Sequence, residues 1–294
     1  MRHGWRAKAL LQHAFSAVPG GDRLNYRFQR HVTRGYPVSD RSLAADVEVG
    51  RHHVEQFARH GAAPVTEARF LEFGAGWDLA MPLVLRTHGV ASQTVLDLRP
   101  LARAELIADA ARRLGFADAP QPDDDSTAAF LVRHGIDYRA PADARATALP
   151  AGSVDCVTST NTLEHIPPAD IAAILRECHR VLTPGGLLSF AVDYKDHYSY
   201  FDRTRSAYAF LRYSPRGWRL YNPDLHFQNR LRHDDYLALY EAAGFRVVDE
   251  VVDRPSDEEL QALTALPLHE SFRTMTLDRV AVLASRVVLA KAAA

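Results

Sequence analysis

Cysteine, lysine and long apolar runs are all scarce in this chain of 294 residues. The two cysteines, Cys156 and Cys178, are spaced neither for a zinc site nor for a redox pair, and their apolar surroundings predict buried thiols in a reducing compartment. No stretch reaches the roughly 18 apolar residues of a membrane span, and no signal peptide is evident. We therefore expect a cytoplasmic protein with no membrane partner.

An excess of charge of either sign is also missing, because 35 basic and 36 acidic residues leave a formal net charge of −1. Such a chain has no global basic field, so we expect no nucleic-acid partner. An apolar fraction of 47% is enough for a substantial core. The sequence allows a homodimer and does not decide the oligomeric state.

The chain divides into a helical segment and a longer segment of alternating strands and helices. Residues 1–64 carry apolar residues at helical spacing and predict an N-terminal helical addition or lid, in which Ser39 caps a long helix that Gly61 ends. Residues 65–294 predict the main domain, with residues 193–233 as an insertion on the substrate side. Strands are predicted at 69–73, 93–98, 136–139, 154–159, 187–192, 245–252 and 279–290.

This alternation predicts an α/β fold. We expect a doubly wound Rossmann-like sheet that is mostly parallel, with one antiparallel strand near the C-terminus. Ligands of such sheets bind at the carboxyl ends of the strands. The candidate functional residues fall at these ends.

A glycine-containing turn follows the first predicted strand and precedes a helix. Gly74 and Gly76 would let a ligand approach the backbone, while Glu72 just before the turn would repel a pyrophosphate and attract an ammonium group. A dinucleotide-binding turn would also need a third glycine where this chain has Leu79. The pattern favours S-adenosylmethionine over a nicotinamide cofactor.

Five motifs occur in the order and rough spacing of one known family. The chain resembles the class I S-adenosylmethionine-dependent methyltransferases, of the small-molecule type, from about residue 66 to 192. Each motif is weak alone, and together they are specific. They are Leu71-Glu-Phe-Gly-Ala-Gly76, Val95-Leu-Asp-Leu98, Leu149-Pro-Ala-Gly-Ser-Val-Asp155, Leu163-Glu-His-Ile166 and Val181-Leu-Thr-Pro-Gly-Gly186.

The resemblance implies a site for the methionine part of S-adenosyl-L-methionine at the first turn. Glu72 would hold the methionine amino group, directly or through water. Gly74, Ala75 and Gly76 would bring the backbone close to the methionine portion and the ribose. Asp78 stands where many members of the family have another glycine, which makes the turn less open.

The resemblance also implies contacts to the nucleoside. Asp97 would bind the ribose hydroxyls, Leu98 would lie beside the adenine, and Asn161 would contribute backbone contacts near the methionine end. Family members often carry an acid where this chain has Arg145. Asp143 would take over as the adenine ligand if the loop is two residues longer.

Two histidines are candidate catalytic residues. His165 follows the fourth predicted strand and either packs at the start of a loop or accepts a proton from the substrate. His197 is the second candidate base. Asp193, His197 and Asp202 could alternatively ligate a metal, but their spacing does not force convergence, so the prediction is that no metal is bound.

Three residues in the insertion are candidate substrate ligands. Tyr194 and Tyr198 lie in an aromatic stretch that is either a solvated surface loop or the wall of a substrate pocket. Arg230 could bind a carboxylate or a phosphate. Residues 24–29 and 208–214 loosely resemble methyltransferases of glycan or secondary-metabolite pathways.

The predicted function is therefore methyl transfer from S-adenosyl-L-methionine to an oxygen or nitrogen of a small molecule, with a sugar-like or natural-product acceptor as the first guess. Two alternatives remain open. One is a nucleic-acid or protein methyltransferase. The other is a catalytically silent S-adenosylmethionine-binding partner subunit.

Overall fold

A seven-stranded sheet forms the centre of the computed structural model, which describes residues 4–292. Residues 1–3 and 293–294, which the predicted domain ranges include, lie outside the described part. The strand order is β3-β2-β1-β4-β5-β7-β6. The strands are β1 Arg69–Phe73, β2 Ser92–Leu96, β3 Ile136–Arg139, β4 Val154–Thr160, β5 Leu182–Asp193, β6 Phe245–Asp253 and β7 Ala284–Lys291.

Strands β1 to β5 run parallel, and β7 pairs antiparallel with both β5 and β6. The predicted fold class is confirmed, including the antiparallel strand near the C-terminus. The first strand lies between β2 and β4, so the strand order reverses beside it. Ligands of open α/β sheets bind at the carboxyl ends of strands next to such a point.

Helices of very different lengths connect and flank the strands. The longest, α3, begins after Ser39, whose hydroxyl accepts a hydrogen bond from the Ser42 N–H at 3.1 Å, and ends at Gly61. The helices are α1 Gly4–Ser16, α2 Gly21–His31, α3 Asp40–His60, α4 Ala80–Thr87, α5 Ala104–Arg113, α6 Asp124–Arg133, α7 Pro168–Val181, α8 Tyr198–Phe201, α9 Pro215–Arg219, α10 His233–Ala242, α11 Asp257–Thr264, α12 Glu270–Arg273 and α13 Leu277–Ala281. Among residues 4–292, none is both long and apolar enough to cross a bilayer.

Helix α3 is packed into the layers of the main domain rather than attached at their edge. It contacts α4, β4 and β5, and it buries Leu43, Val54 and Phe57. Gly50 lets it approach α4 closely, because a Cβ at this position would lie 2.4 Å from Val84 Cγ1. The boundary predicted at residue 64 therefore follows a helix that belongs to the α/β layers.

A buried histidine joins this helix to the sheet. His53 places Nδ1 2.6 Å from Ser189 Oγ on β5 and Nε2 3.0 Å from Thr160 Oγ1 on β4. Burial lowers the pKa of His53 to about 3, so the ring is neutral at physiological pH. The two hydrogen bonds fix the lateral position of α3 over the sheet.

Replacing His53 by alanine is expected to lower the free energy of unfolding by about 2–4 kcal/mol, because the buried Ser189 hydroxyl and the half-buried Thr160 hydroxyl lose their partner and a cavity opens. The matched control is His60→Ala at the exposed end of the same helix, which should change stability by less than about 0.5 kcal/mol. Urea denaturation measures both variants. Equal stability of the two would show that His53 does not anchor α3.

The segments after β5 differ most from expectation. The stretch predicted to be a substrate-side insertion, 193–233, contains α8, α9 and 3₁₀ turns at Ala209–Arg212 and Asp224–His226. Three short helices, α11 to α13, stand between β6 and β7, so the last strand begins at Ala284 and not at residue 279. These helices are too short for a periodic apolar pattern to be visible in the sequence.

Candidate active site

Two adjoining cavities open where β1, β2 and β4 end. The larger, of about 530 Å³, is lined by residues of these three strand ends and by segments 22–36 and 224–227. The smaller, of about 210 Å³, lies against the turn between β1 and α4. The two cavities share the residues Tyr36, Gly74, Gly76, Trp77 and Asn161.

The turn after β1 needs its glycines. Gly74 has φ +80° and its N–H donates to the Leu96 carbonyl at 2.9 Å, while a Cβ at Gly74 would lie 2.3 Å from Thr162 Cγ2. Gly76 has φ +77° and open space beside it. Both positions therefore disfavour a side chain, and the backbone at Gly76 is open to a ligand.

Glu72 is buried in β1 and lines the smaller cavity. Its Oε2 accepts a hydrogen bond from the Thr158 hydroxyl, whereas Oε1 is buried without a partner among the described residues. Burial raises the pKa of Glu72 to about 8. A carboxylate that is held on one side and unpaired on the other is suited to bind a cation from the cavity.

Asp97 follows β2 directly and lines the larger cavity, as does the neighbouring Leu98. Burial raises the pKa of Asp97 to about 7, although hydrogen bonds from Tyr138 and the Gly76 backbone oppose this rise. Its Oδ2 atom is buried with no partner in the described chain. This oxygen can accept a hydrogen bond from a ligand hydroxyl. Leu98 is exposed and offers an apolar surface beside it.

Asn161 and Asp143 also line the larger cavity. Asn161 has a left-handed backbone with φ +50°, a conformation that asparagine tolerates better than most residues and that often occurs at functional sites. The Asp143 carboxylate accepts hydrogen bonds from the Arg145 N–H and guanidinium, which hold the pKa of Asp143 below its usual value. Arg145 therefore already takes part of the hydrogen-bond acceptor capacity that Asp143 would offer to the adenine.

His165 faces the larger cavity from the loop after β4. Its Nδ1 lies 2.7 Å from the Phe227 carbonyl oxygen, which can only accept, so Nδ1 carries the proton and Nε2 has a free lone pair. Burial and the adjacent His197 lower the pKa of His165 to about 4, so the ring is neutral at physiological pH. The ring thus presents a proton acceptor at Nε2.

The loop of His165 is held by the segment after α9. The Asn229 side-chain amide donates to the carbonyls of Leu163 and Ile166, each at 2.9 Å, and the Asn229 N–H donates to the Glu164 carbonyl at 2.7 Å. These contacts fix the loop on both sides of the imidazole.

His197 and Glu164 complete a compact polar group with His165. The His165 and His197 rings are 4.8 Å apart, and His197 Nε2 lies 3.4 Å from Asp193 Oδ2 and 4.0 Å from Glu164 Oε1. Both Glu164 oxygens and His197 Nε2 are buried without a hydrogen-bond partner among the described residues. Burial and the charge of Asp193 raise the pKa of Glu164 above its usual value.

Glu164, His165 and His197 could also hold a metal ion. Each offers one ligand atom, and the three atoms lie within 4.8 Å of one another. One carboxylate and two imidazoles form a donor set typical of zinc and other divalent cations. The sequence-based prediction of no metal therefore stays a prediction.

The family is decided by comparison with known proteins. Residues 48–250 match the family described as "Methyltransferase domain". The chain belongs to this family. The predicted membership of the class I S-adenosylmethionine-dependent methyltransferases is confirmed, and with it the assignment as an enzyme.

The individual relatives of this methyltransferase match it at low identity and over only part of its length. It is 35% identical over 121 residues to the ubiquinone biosynthesis O-methyltransferase of Xanthomonas oryzae pv. oryzae, a match that covers 41% of each chain. It is 31% identical over 115 residues to the enzyme of the same name from Pseudomonas aeruginosa, covering 39% of this chain and 46% of that one. The matches thus span less than half the length of these relatives.

Among solved structures, the [4+2]-cyclase SpnF aligns with this methyltransferase at a TM-score of 0.50 and 16% identity. The alignment covers 85% of this chain and 83% of SpnF. This similarity supports the fold alone.

The three predicted substrate ligands of this methyltransferase do not line either cavity. Tyr194 is buried in the core, where its hydroxyl contacts Ser285 Oγ at 2.7 Å. The Tyr198 hydroxyl donates to the Tyr221 carbonyl, and the Arg230 guanidinium donates to the Phe210 carbonyl. Each of the three side chains thus has a hydrogen-bond partner within the fold, and their role as substrate ligands stays a prediction.

Several cavity residues of this methyltransferase were not predicted. Asp22, Asn25 and Gln29 reach the larger cavity from α2, and Tyr36 reaches both cavities. Trp77 lies between the cavities and stacks on Tyr26 with ring centroids 5.0 Å apart. No sequence spacing relates these N-terminal residues to the motifs, since only tertiary packing brings α2 to the strand ends.

Proposed function

We propose that this methyltransferase transfers the methyl group of S-adenosyl-L-methionine to a hydroxyl oxygen of a small molecule. The observation that carries the donor assignment is the pair of unpartnered oxygens, Glu72 Oε1 and Asp97 Oδ2, one at each cavity. The relatives named O-methyltransferases support oxygen rather than nitrogen as the acceptor atom. A sugar-like or natural-product skeleton remains the expectation for the acceptor.

The donor would span the two cavities. Its adenosine would lie in the larger cavity, with the ribose hydroxyls donating to Asp97 and the adenine beside Leu98 and Asp143. Its methionine end would extend past Gly74, Ala75 and Gly76 into the smaller cavity, where Glu72 would accept from the ammonium group. Asn161 borders both cavities and would lie beside the sulfonium.

The chemical step would be an in-line displacement in the larger cavity. The acceptor oxygen forms a bond to the methyl carbon as the carbon–sulfur bond breaks, and the electron pair stays on sulfur. The hydroxyl proton passes to His165 Nε2, which has no hydrogen-bond partner among residues 4–292, whereas Nδ1 is bound to the Phe227 carbonyl. The Asp193 carboxylate and the Phe227 carbonyl would stabilise the imidazolium that results. The protein otherwise contributes alignment, because the sulfonium is already a good leaving group.

A metal-assisted form of the same reaction is the second candidate, favoured by the convergence of Glu164, His165 and His197. A divalent cation there would lower the pKa of a bound hydroxyl and orient it. In this case the two histidines would be ligands and not bases. Prior dialysis against a chelator separates the two candidates.

The test is transfer of a labelled methyl group from S-adenosylmethionine into small-molecule extracts, followed by mass identification of the product. We expect label in a methyl ether, with turnover unchanged after chelation. Turnover that is lost on chelation and restored by Mg²⁺ or Zn²⁺ would establish the metal-assisted form. Label in nucleic acid or protein, or tight cofactor binding without any transfer, would overturn the proposal.

Binding of S-adenosylhomocysteine is expected to tighten as the pH rises from about 6 to 7.5. Burial raises the pKa of Glu72 to about 8 and that of Asp97 to about 7, so both are largely protonated at the lower pH. Because an ammonium group favours the ionised carboxylate, binding releases protons and affinity increases with pH. Calorimetry in two buffers of different ionisation enthalpy measures this release. Glu72→Gln should flatten the dependence, whereas an equally steep dependence would exclude Glu72 as its source.

A further inference from the structure

The smaller cavity carries an excess of negative groups. Three of its lining residues are acids, namely Asp46 on α3, Glu72 on β1 and Asp78 just before α4, and no lysine, arginine or histidine is among the described residues that line it. Of these three acids, only Glu72 belongs to a motif of the family. The other two acids therefore require their own explanation.

Asp78 has a structural role within the turn. Its Oδ1 accepts a hydrogen bond from the Ala80 N–H at 3.1 Å, at the start of α4. A carboxylate at this place satisfies one of the free N–H groups of the first helical turn. Asp78 is thus explained by capping.

Asp46 has no comparable role. No side-chain hydrogen bond or ion pair of Asp46 occurs within residues 4–292, and the Asp78 carboxylate adds to its negative surroundings. The nearby Glu72 is almost completely buried and leaves Oε1 unpaired at the same cavity. The Asp46 carboxylate and the Glu72 Oε1 atom thus face one small space without a partner in the described part of the chain, which indicates a cationic ligand group.

We propose that Asp46 is a second ligand for the ammonium group of the methyl donor, in addition to Glu72. The inference rests on the proposed function, because it takes S-adenosylmethionine as the occupant of the cavities. It adds a residue that lies ahead of the first strand and outside every motif of the family. Helix α3 is then part of the cofactor site, held in place over the sheet by His53.

The energetics of the free protein agree with this assignment. Burial, and next the charge of Asp78, raise the pKa of Asp46 to about 7. An acid with a raised pKa destabilises the folded protein above its usual pKa, so Asp46 costs stability at neutral pH in the absence of a cation. A binding residue is commonly retained at such a cost, whereas a structural residue is not.

The proposal makes affinity depend on the amino-acid end of the ligand. The test compares S-adenosylhomocysteine with 5′-methylthioadenosine, which has the same nucleoside and thioether but neither the ammonium nor the carboxylate group. Calorimetry at pH 7.5 measures both ligands on the wild type, on Asp46→Asn and on the control Glu48→Gln. Glu48 is exposed on the same helix and pairs only with surface Arg51 among the described residues.

In Asp46→Asn, we expect the affinity for S-adenosylhomocysteine to fall about tenfold or more and that for 5′-methylthioadenosine to stay within about twofold. The melting temperature of the unliganded variant should not fall. Glu48→Gln should bind both ligands as the wild type does.

Three results would overturn the proposal. Unchanged affinity for S-adenosylhomocysteine would exclude Asp46 as a ligand while leaving the proposed function intact. An equal loss for both ligands, or a lowered melting temperature, would show a structural role instead. A wild-type protein that binds neither ligand would refute the proposed function, and the inference with it.

Discussion

Asp97→Ala is expected to weaken S-adenosylhomocysteine binding by about 100-fold, or about 3 kcal/mol. The carboxylate follows β2, is buried, and has an unpartnered Oδ2 at the larger cavity. Its loss would leave two ribose hydroxyls without a charged acceptor. Calorimetric titration of the variant measures the change.

The control for this experiment is Asp137→Ala. Asp137 lies on the neighbouring strand β3, where it is exposed and paired with Arg139. Its replacement should leave affinity within about twofold, because exposed ion pairs contribute little. Equal affinity of Asp97→Ala and the wild type would remove Asp97 from the ribose site.

His165→Ala is expected to lower turnover by about 10²–10⁴-fold, the usual contribution of a general base, while cofactor affinity stays nearly unchanged. The reason is geometric, since Nδ1 is bound to the Phe227 carbonyl and only Nε2 can receive the substrate proton. Single-turnover methyl transfer measures the step, and calorimetry measures the binding.

Two comparisons separate base catalysis from a packing role of His165. Added imidazole should restore part of the turnover of His165→Ala, because it can enter the space that the ring leaves. His60→Ala, at an exposed position of α3, should retain full turnover. Unchanged turnover in His165→Ala would remove this residue from the mechanism.

The sheet and the positions of the acids at the strand ends could be predicted because their signals are local. Glu72 and Asp97 each lie at or just after the end of a short apolar strand, and parallel strands bring such positions to one edge. The long helix α3 was predicted from its cap at Ser39 and its end at Gly61. Spacing along the chain is enough to locate features of this kind.

The acceptor side could not be predicted in the same way. Tyr194 and Arg230 are polar residues in a long connection, and such residues are as suited to internal hydrogen bonds as to a ligand. Their partners, Ser285 and the Phe210 carbonyl, are 91 and 20 residues away. Asp46 and Tyr36 precede the first strand and reach the cavities only through tertiary packing. No periodic pattern in the sequence indicates contacts of this kind.

The most direct test of the account is a crystal structure of this methyltransferase with S-adenosylhomocysteine. We predict the ribose hydroxyls within hydrogen-bond distance of Asp97, and the amino group in the smaller cavity between Glu72 and Asp46. The thioether sulfur should lie beside Asn161, with the space toward His165 Nε2 left open for an acceptor. A ligand bound elsewhere, or an amino group that points away from Glu72, would contradict the account.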